Sequence, residues 1–130
     1  MRAAHGVVAS GVVVLAVACD RSPTEPSSEG PGSGSNPNVI TITATGVRPT
    51  SITILVGERV LFINNDGIDH EMSSDDHPTH ERCPQINQVG YLRPGDARET
   101  GNFTTVETCA FHDHINAQND SLDGTIVATE

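Results

Sequence analysis

The chain has 130 residues, a formal net charge of −10 and no lysine, so it holds at most one small domain. Such an acidic surface excludes binding to nucleic acid or anionic lipid by charge attraction. It suits a basic protein partner, or it only keeps the protein soluble.

The first 18 residues are typical of a secretory signal peptide. Arg2 precedes an apolar run from Gly6 to Ala18, which is shorter than the roughly 20 residues that span a bilayer. Cys19 follows an Ala-Val-Ala sequence and resembles the acylated cysteine of a bacterial lipobox, although Ala16 stands where leucine is usual. An ordinary signal cleaved near a cysteine is the alternative. We expect an exported protein, periplasmic or at the cell surface, with a lipid anchor at Cys19.

Residues 19–38 are predicted to be a flexible linker. They are rich in Ser, Gly, Pro and Glu and have no apolar periodicity. A segment of this composition cannot bury enough apolar surface to fold. The folded domain is therefore expected to span residues 39–130.

The folded part reads as a series of short strands. In residues 40–44 apolar side chains alternate with threonine, which is typical of a half-buried strand. Further β-rich stretches, separated by turn residues, lie at 52–54, 60–63, 88–92, 98–103, 108–111 and 125–129. About seven short strands without interleaved helices predict an all-β fold, an antiparallel sandwich or small barrel.

Histidine and cysteine residues gather in two clusters within this domain. The first contains His70, His77, His80 and Cys83, and the second contains Cys109, His112 and His114. Imidazole and thiolate groups suit copper and zinc. A lone histidine is more often a solvated loop residue, but five histidines in two clusters favour a transition-metal site.

The framework around these clusters resembles the cupredoxin family. Residues 56–66, followed by His70, resemble the strand and loop that deliver the first histidine ligand in that family, and residues 92–95 resemble the turn that follows. Residues 124–127 resemble its final strand. The resemblance covers residues 39–130 and implies a small antiparallel Greek-key β-sandwich that binds copper. It also implies a non-enzymatic role in electron transfer in the cell envelope, with a basic redox partner docking on the acidic surface.

The metal motif resembles the family less closely. Cys109 and His112 have the Cys-x-x-His spacing of many blue-copper proteins, which implies copper ligation by His70, Cys109 and His112, with His114 as a further candidate. Leu122 stands where the family usually has an axial methionine. The loop from Cys109 to the final strand is also longer than is usual.

A second interpretation of Cys109 comes from the export signal. Cys83 and Cys109 are the only thiols left after Cys19, and a cysteine pair in an oxidising compartment normally forms a disulfide. The metal would then be held by imidazoles alone, with His70, His112 and His114 as candidates and either His77 or His80 as a fourth. Such a protein would be a histidine-rich copper storage or delivery lipoprotein. Both roles of Cys109 stay open at this point, as does a structural domain without metal.

The acidic residues near the first cluster also have two interpretations. Asp75 and Asp76 precede His77 and are candidates to orient ligating imidazoles through hydrogen bonds. The alternative is that both are solvated loop charges. Nothing in the sequence indicates the substrate pocket that a copper enzyme needs.

Overall fold

The computed structural model describes residues 38–130, so the predicted signal peptide, Cys19 and nearly all of the predicted linker lie outside the described residues. The described part contains nine strands: β1 (Val39–Thr43), β2 (Gly46–Arg48), β3 (Ser51–Leu55), β4 (Leu61–Asn64), β5 (His70–Ser74), β6 (Gly90–Leu92), β7 (Ala97–Glu99), β8 (Glu107–Asp113) and β9 (Gly124–Thr129). They form one sheet in the order β2-β1-β4-β7 and another in the order β3-β9-β8-β5-β6. The predicted all-β sandwich is confirmed. Within residues 38–130, no helix has the length and apolar character needed to cross a membrane.

The sheets differ from the sequence-based prediction in two respects. Strand β1 pairs in parallel with β4, and β3 pairs in parallel with β9, so the sheets are mixed rather than purely antiparallel. Strands β2 and β5 were not predicted. The first is only three residues long, and the second has the polar sequence His-Glu-Met-Ser-Ser.

The core lies between the two sheets and explains the alternating pattern of the strands. Ile40 and Ile42 on β1 and Phe62 on β4 are fully buried. The ring of Phe62 meets the ring of Phe111 on β8 edge to face, with centroids 5.1 Å apart. Gly124 lies so close to Phe111 that an added Cβ would fall 2.4 Å from the ring, so a side chain cannot be accommodated there.

Asn64 organises the loop that leads to His70. Its buried side-chain amide donates hydrogen bonds to the carbonyl oxygens of Ile68 and Leu92, and its Oδ1 accepts one from the backbone N–H of Asp66. These bonds satisfy polar groups that would otherwise be buried without partners. The strand ending in asparagine therefore fixes the turn and brings His70 to the start of β5.

Strand β8 separates its functional side chains onto two faces. Successive side chains of a strand point to opposite faces of a sheet. Cys109, Phe111 and Asp113 are all fully or almost fully buried and share the face that packs into the core. His112 belongs to the other face, opposite Ser73 of β5.

Candidate metal centre

Four histidine rings lie together over the end of β8. His112 is the penultimate residue of β8, His114 follows the strand, and His77 and His80 lie in the loop after β5. The ring centroids of neighbouring members are 5.0 to 5.7 Å apart, and those of His112 and His114 are 6.4 Å apart. We call these four residues the histidine cluster.

Hydrogen bonds at Nδ1 set the orientation of two rings in this cluster. The Nδ1 of His80 lies 2.7 Å from the carbonyl oxygen of Ser74, and the Nδ1 of His112 lies 2.6 Å from Oδ1 of Asp75. A carbonyl and an ionised carboxylate only accept hydrogen bonds, so each Nδ1 carries the proton. In the neutral imidazole, each Nε2 is then left with a free lone pair.

Those two Nε2 atoms are the buried side-chain nitrogen or oxygen atoms of the described residues that have no hydrogen-bond partner. Leaving a polar atom buried and unpaired costs about 1–3 kcal/mol. A metal ion bound by the lone pairs of His80 and His112 would remove this cost. The two atoms are therefore suited to bind a cation.

Three members of the cluster form a compact group of ligand nitrogens, and His112 lies beside that group with its ring centroid 5.0 Å from that of His80. The ligand nitrogens of His77, His80 and His114 all lie within 4.8 Å of one another. Two nitrogens bound to one metal at about 2.1 Å can be at most about 4.2 Å apart, so these three rings need only small rotations, whereas His112 must approach them to share the ion. His77 and His114 are exposed, which leaves the outer side of the cluster open to solvent.

The loop that carries His77 and His80 is held by hydrogen bonds between side chains and backbone groups. The side-chain amide of Asn87 donates to the carbonyl oxygen of His80, and its Oδ1 accepts from the N–H of Ser74. The hydroxyl oxygen of Ser74 accepts from the N–H of Cys83. His80 itself has a φ of 52°, a left-handed conformation that histidine adopts more readily than most residues other than glycine. The position of its ring is therefore fixed by the loop and not by ring contacts alone.

Carboxylates surround the cluster and make it attractive to a cation. Desolvation raises the pKa of Asp123, and the negative charges of Asp120 and Asp75 raise it further, whereas His112 lowers it. Two carboxylates, those of Asp75 and Asp123, therefore lie close enough to His112 to interact with its ring. The local field therefore favours binding of a positive ion at the histidine cluster.

His70 lies outside the histidine cluster. Its ring is fully buried, with Nδ1 2.8 Å from Oδ2 of Asp113 and Nε2 3.2 Å from Oδ2 of Asp66. Burial by itself would raise the pKa of Asp113, but hydrogen bonds from the N–H groups of Glu71 and Ile115 and from the side chains of Asn116 and His70 hold it below its usual value. Both nitrogens of His70 thus face carboxylates.

Cys83 and Cys109 form a disulfide with Cα atoms 5.9 Å apart. The sequence left two roles open for Cys109, that of a copper ligand and that of a disulfide partner, and in the structure Cys109 is the disulfide partner. A sulfur bonded to another sulfur provides no thiolate for a metal, so the Cys109 ligand implied by the blue-copper resemblance is absent from this oxidised form. The bridge joins the loop of His77 and His80 to β8, three residues from His80 and three from His112.

The ligands predicted from the sequence are therefore divided in space. Of His70, Cys109, His112 and His114, the structure brings His112 and His114 together, while His70 and Cys109 lie elsewhere. The alternation of β8 gives the reason, because residues three apart on a strand, such as Cys109 and His112, point to opposite faces. His77 and His80, which the sequence offered only as a fourth ligand, both belong to the cluster. Their His-x-x-His spacing within one short loop is the signal that would have identified both as ligands.

No protein-family model and no curated protein matches this chain. Several solved structures do. A purple cupredoxin from Nitrosopumilus maritimus is 20% identical with a TM-score of 0.57, covering 70% of this chain and 98% of that chain. Plastocyanin from Dryopteris crassirhizoma is 16% identical with a TM-score of 0.54, covering 70% of this chain and 99% of that chain. A Cu-containing nitrite reductase from Thermus scotoductus has a TM-score of 0.57 at 19% identity, with 71% of this chain spanning 22% of that chain. At these identities the likeness shows the fold, so the chain has the cupredoxin fold.

Proposed function

We propose that this domain binds copper through the histidine cluster and that it stores or delivers copper in the cell envelope. The observation that carries the proposal is the pair of buried, unpartnered Nε2 atoms of His80 and His112. Both belong to imidazoles whose other nitrogen is already hydrogen bonded. The proposed ligands are His77, His80, His112 and His114.

Copper is favoured over other divalent ions by the donor set. Imidazole suits copper, zinc, iron and nickel, and for a given nitrogen site the affinity is highest for copper(II). The fold agrees with this choice, since one of the structures it resembles is described as a Cu-containing enzyme. Zinc is the main competitor and serves as a comparison in titrations.

Storage or delivery is better supported than electron transfer. The electron-transfer role implied by the Cys-x-x-His spacing depends on a copper-bound thiolate, and Cys109 is bonded to Cys83. The exposed rings of His77 and His114 leave one side of the cluster within reach of a partner that donates or accepts the ion. We also propose that export and a lipid anchor at Cys19 bring the domain to the envelope, where a basic partner would meet its acidic surface.

Copper affinity measured against a competing chelator tests this function. His80→Asn tolerates the left-handed backbone of position 80 but lacks the imidazole, so the variant should keep its fold. We expect His80→Asn and His112→Ala each to weaken copper(II) binding by at least tenfold, or about 1.4 kcal/mol. The matched control is Asp76→Asn, because Asp76 is exposed in the same loop and its side chain makes no hydrogen bond within residues 38–130. Wild-type affinity in both histidine variants would refute the proposed site.

A further inference from the structure

A second group of metal-binding side chains lies on the core side of β8, apart from the histidine cluster. It consists of Cys83, Glu107 and Cys109, whose ligand atoms all lie within 4.8 Å of one another. Both cysteines are buried, whereas Glu107 is only partly buried. In the oxidised chain the two sulfurs are bonded to each other, so these three residues hold no metal.

Glu107 is held beside both sulfurs. Its Oε2 lies 3.7 Å from Sγ of Cys83, and its Oε1 accepts a hydrogen bond of 2.7 Å from the side-chain amide of Gln85. The same amide nitrogen lies 3.8 Å from Sγ of Cys109. A carboxylate is thus fixed next to a sulfur pair on the side where Glu107 and Gln85 reach the surface.

We propose that reduction of the Cys83–Cys109 disulfide creates a second metal site, formed by two thiolates and the Glu107 carboxylate, for a thiophilic d¹⁰ cation such as zinc(II) or copper(I). In the first step a dithiol or phosphine reductant supplies two electrons, two protons are taken up, and the S–S bond is replaced by two S–H groups. In the second step the cation displaces both thiol protons and forms two metal–sulfur bonds. This proposal does not depend on the histidine cluster.

The fixed carboxylate explains why the cation is needed. A negative charge beside two thiols disfavours their ionisation when no cation is present. A cation reverses this effect, because it attracts the carboxylate and both thiolates together. The chain would accordingly bind one ion when oxidised and two when reduced.

Zinc stoichiometry in the two redox states tests the proposal, since zinc(II) does not oxidise thiols. The full chain is used as Cys19→Ser, so that Cys83 and Cys109 are its only cysteines. We expect the oxidised protein to bind one zinc(II) at the histidine cluster, and the protein reduced with a phosphine and then freed of it to bind two. His80→Asn should weaken binding of the first ion and leave binding of the second unchanged. This result distinguishes failure of the proposed thiolate site from failure of the histidine cluster.

Glu107→Gln tests whether the carboxylate is a zinc ligand or whether the two thiols bind the ion without it. We expect this variant to weaken the second zinc(II) at least tenfold, with Glu99→Gln on β7 as an exposed control. If the reduced protein loses its fold, zinc(II) should restore a cooperative unfolding transition. Equal stoichiometry in both redox states, a second zinc(II) that is insensitive to Glu107→Gln, or no recovery of the fold would overturn the proposal.

Discussion

The imidazole of His70 donates its Nδ1 hydrogen to the Asp113 carboxylate across 2.8 Å, and both side chains are fully buried. This pair ties the start of β5 to the end of β8. In the cupredoxin resemblance His70 occupies the position of the first copper ligand. Here its two nitrogens face Asp113 and Asp66 instead.

His70→Ala should therefore lower stability and leave copper binding nearly intact. The substitution removes a hydrogen bond from buried Asp113 and opens a cavity, so we expect a loss of about 3 kcal/mol in the free energy of unfolding. Copper(II) affinity should change by less than about threefold, or less than about 0.7 kcal/mol. Denaturant unfolding and a chelator competition measure the two effects. A tenfold loss of copper affinity in a folded His70→Ala protein would instead support the ligand role implied by the sequence.

The disulfide should stabilise the domain. A bridge between residues separated by 26 positions restricts the unfolded chain by about 3 kcal/mol on the loop-entropy estimate. In a Cys19→Ser background, a thiol titration of the unfolded, unreduced protein should find no free thiol. Replacing both Cys83 and Cys109 by serine should lower the urea midpoint without changing the fold. One or two titratable thiols would contradict the bridge.

The sequence was sufficient to predict the sandwich but not the ligand set. The alternation of apolar residues and threonine in residues 40–44 predicts that one face of the strand is buried, and this is a local property that the sequence shows directly. The set of side chains that meet depends on which residues of β8 point inward, and the Cys-x-x-His spacing does not reveal whether it lies on a strand or in a loop. Strand β5 was missed for a related reason, because its polar sequence gives no sign of burial, and the buried histidine pairs with Asp113, which is 43 positions away in the sequence.

Asp75 should influence the copper site through His112. Its carboxylate accepts the Nδ1 hydrogen of His112 at 2.6 Å and so directs Nε2 toward the cluster. Loss of such an orienting partner typically costs about tenfold to 100-fold in metal affinity. We expect Asp75→Ala to weaken copper(II) binding by at least about tenfold in a chelator competition, whereas the exposed neighbour Asp76→Ala should have little effect. Equal effects of both substitutions would indicate that only the total charge matters.

The lipid anchor at Cys19 stays a prediction, since that residue lies outside the described part of the chain. If Cys19 is acylated, the mature protein should fractionate with membranes after expression in a bacterial host. Cys19→Ser should then release the protein or block its processing. Membrane association that persists unchanged in this variant would rule out the anchor.

The spectrum of the copper(II)-loaded protein tests the central claim most directly. Four imidazoles and no thiolate should give weak visible absorption and an electron paramagnetic resonance spectrum with couplings to several imidazole nitrogens. Pulsed experiments that count these couplings should find four in the wild type and three in His80→Asn. An intense blue charge-transfer band would contradict the account, because it requires a copper-bound thiolate that the Cys83–Cys109 bridge does not provide. A spectrum without imidazole couplings would contradict it equally, since the copper would then be bound outside the histidine cluster.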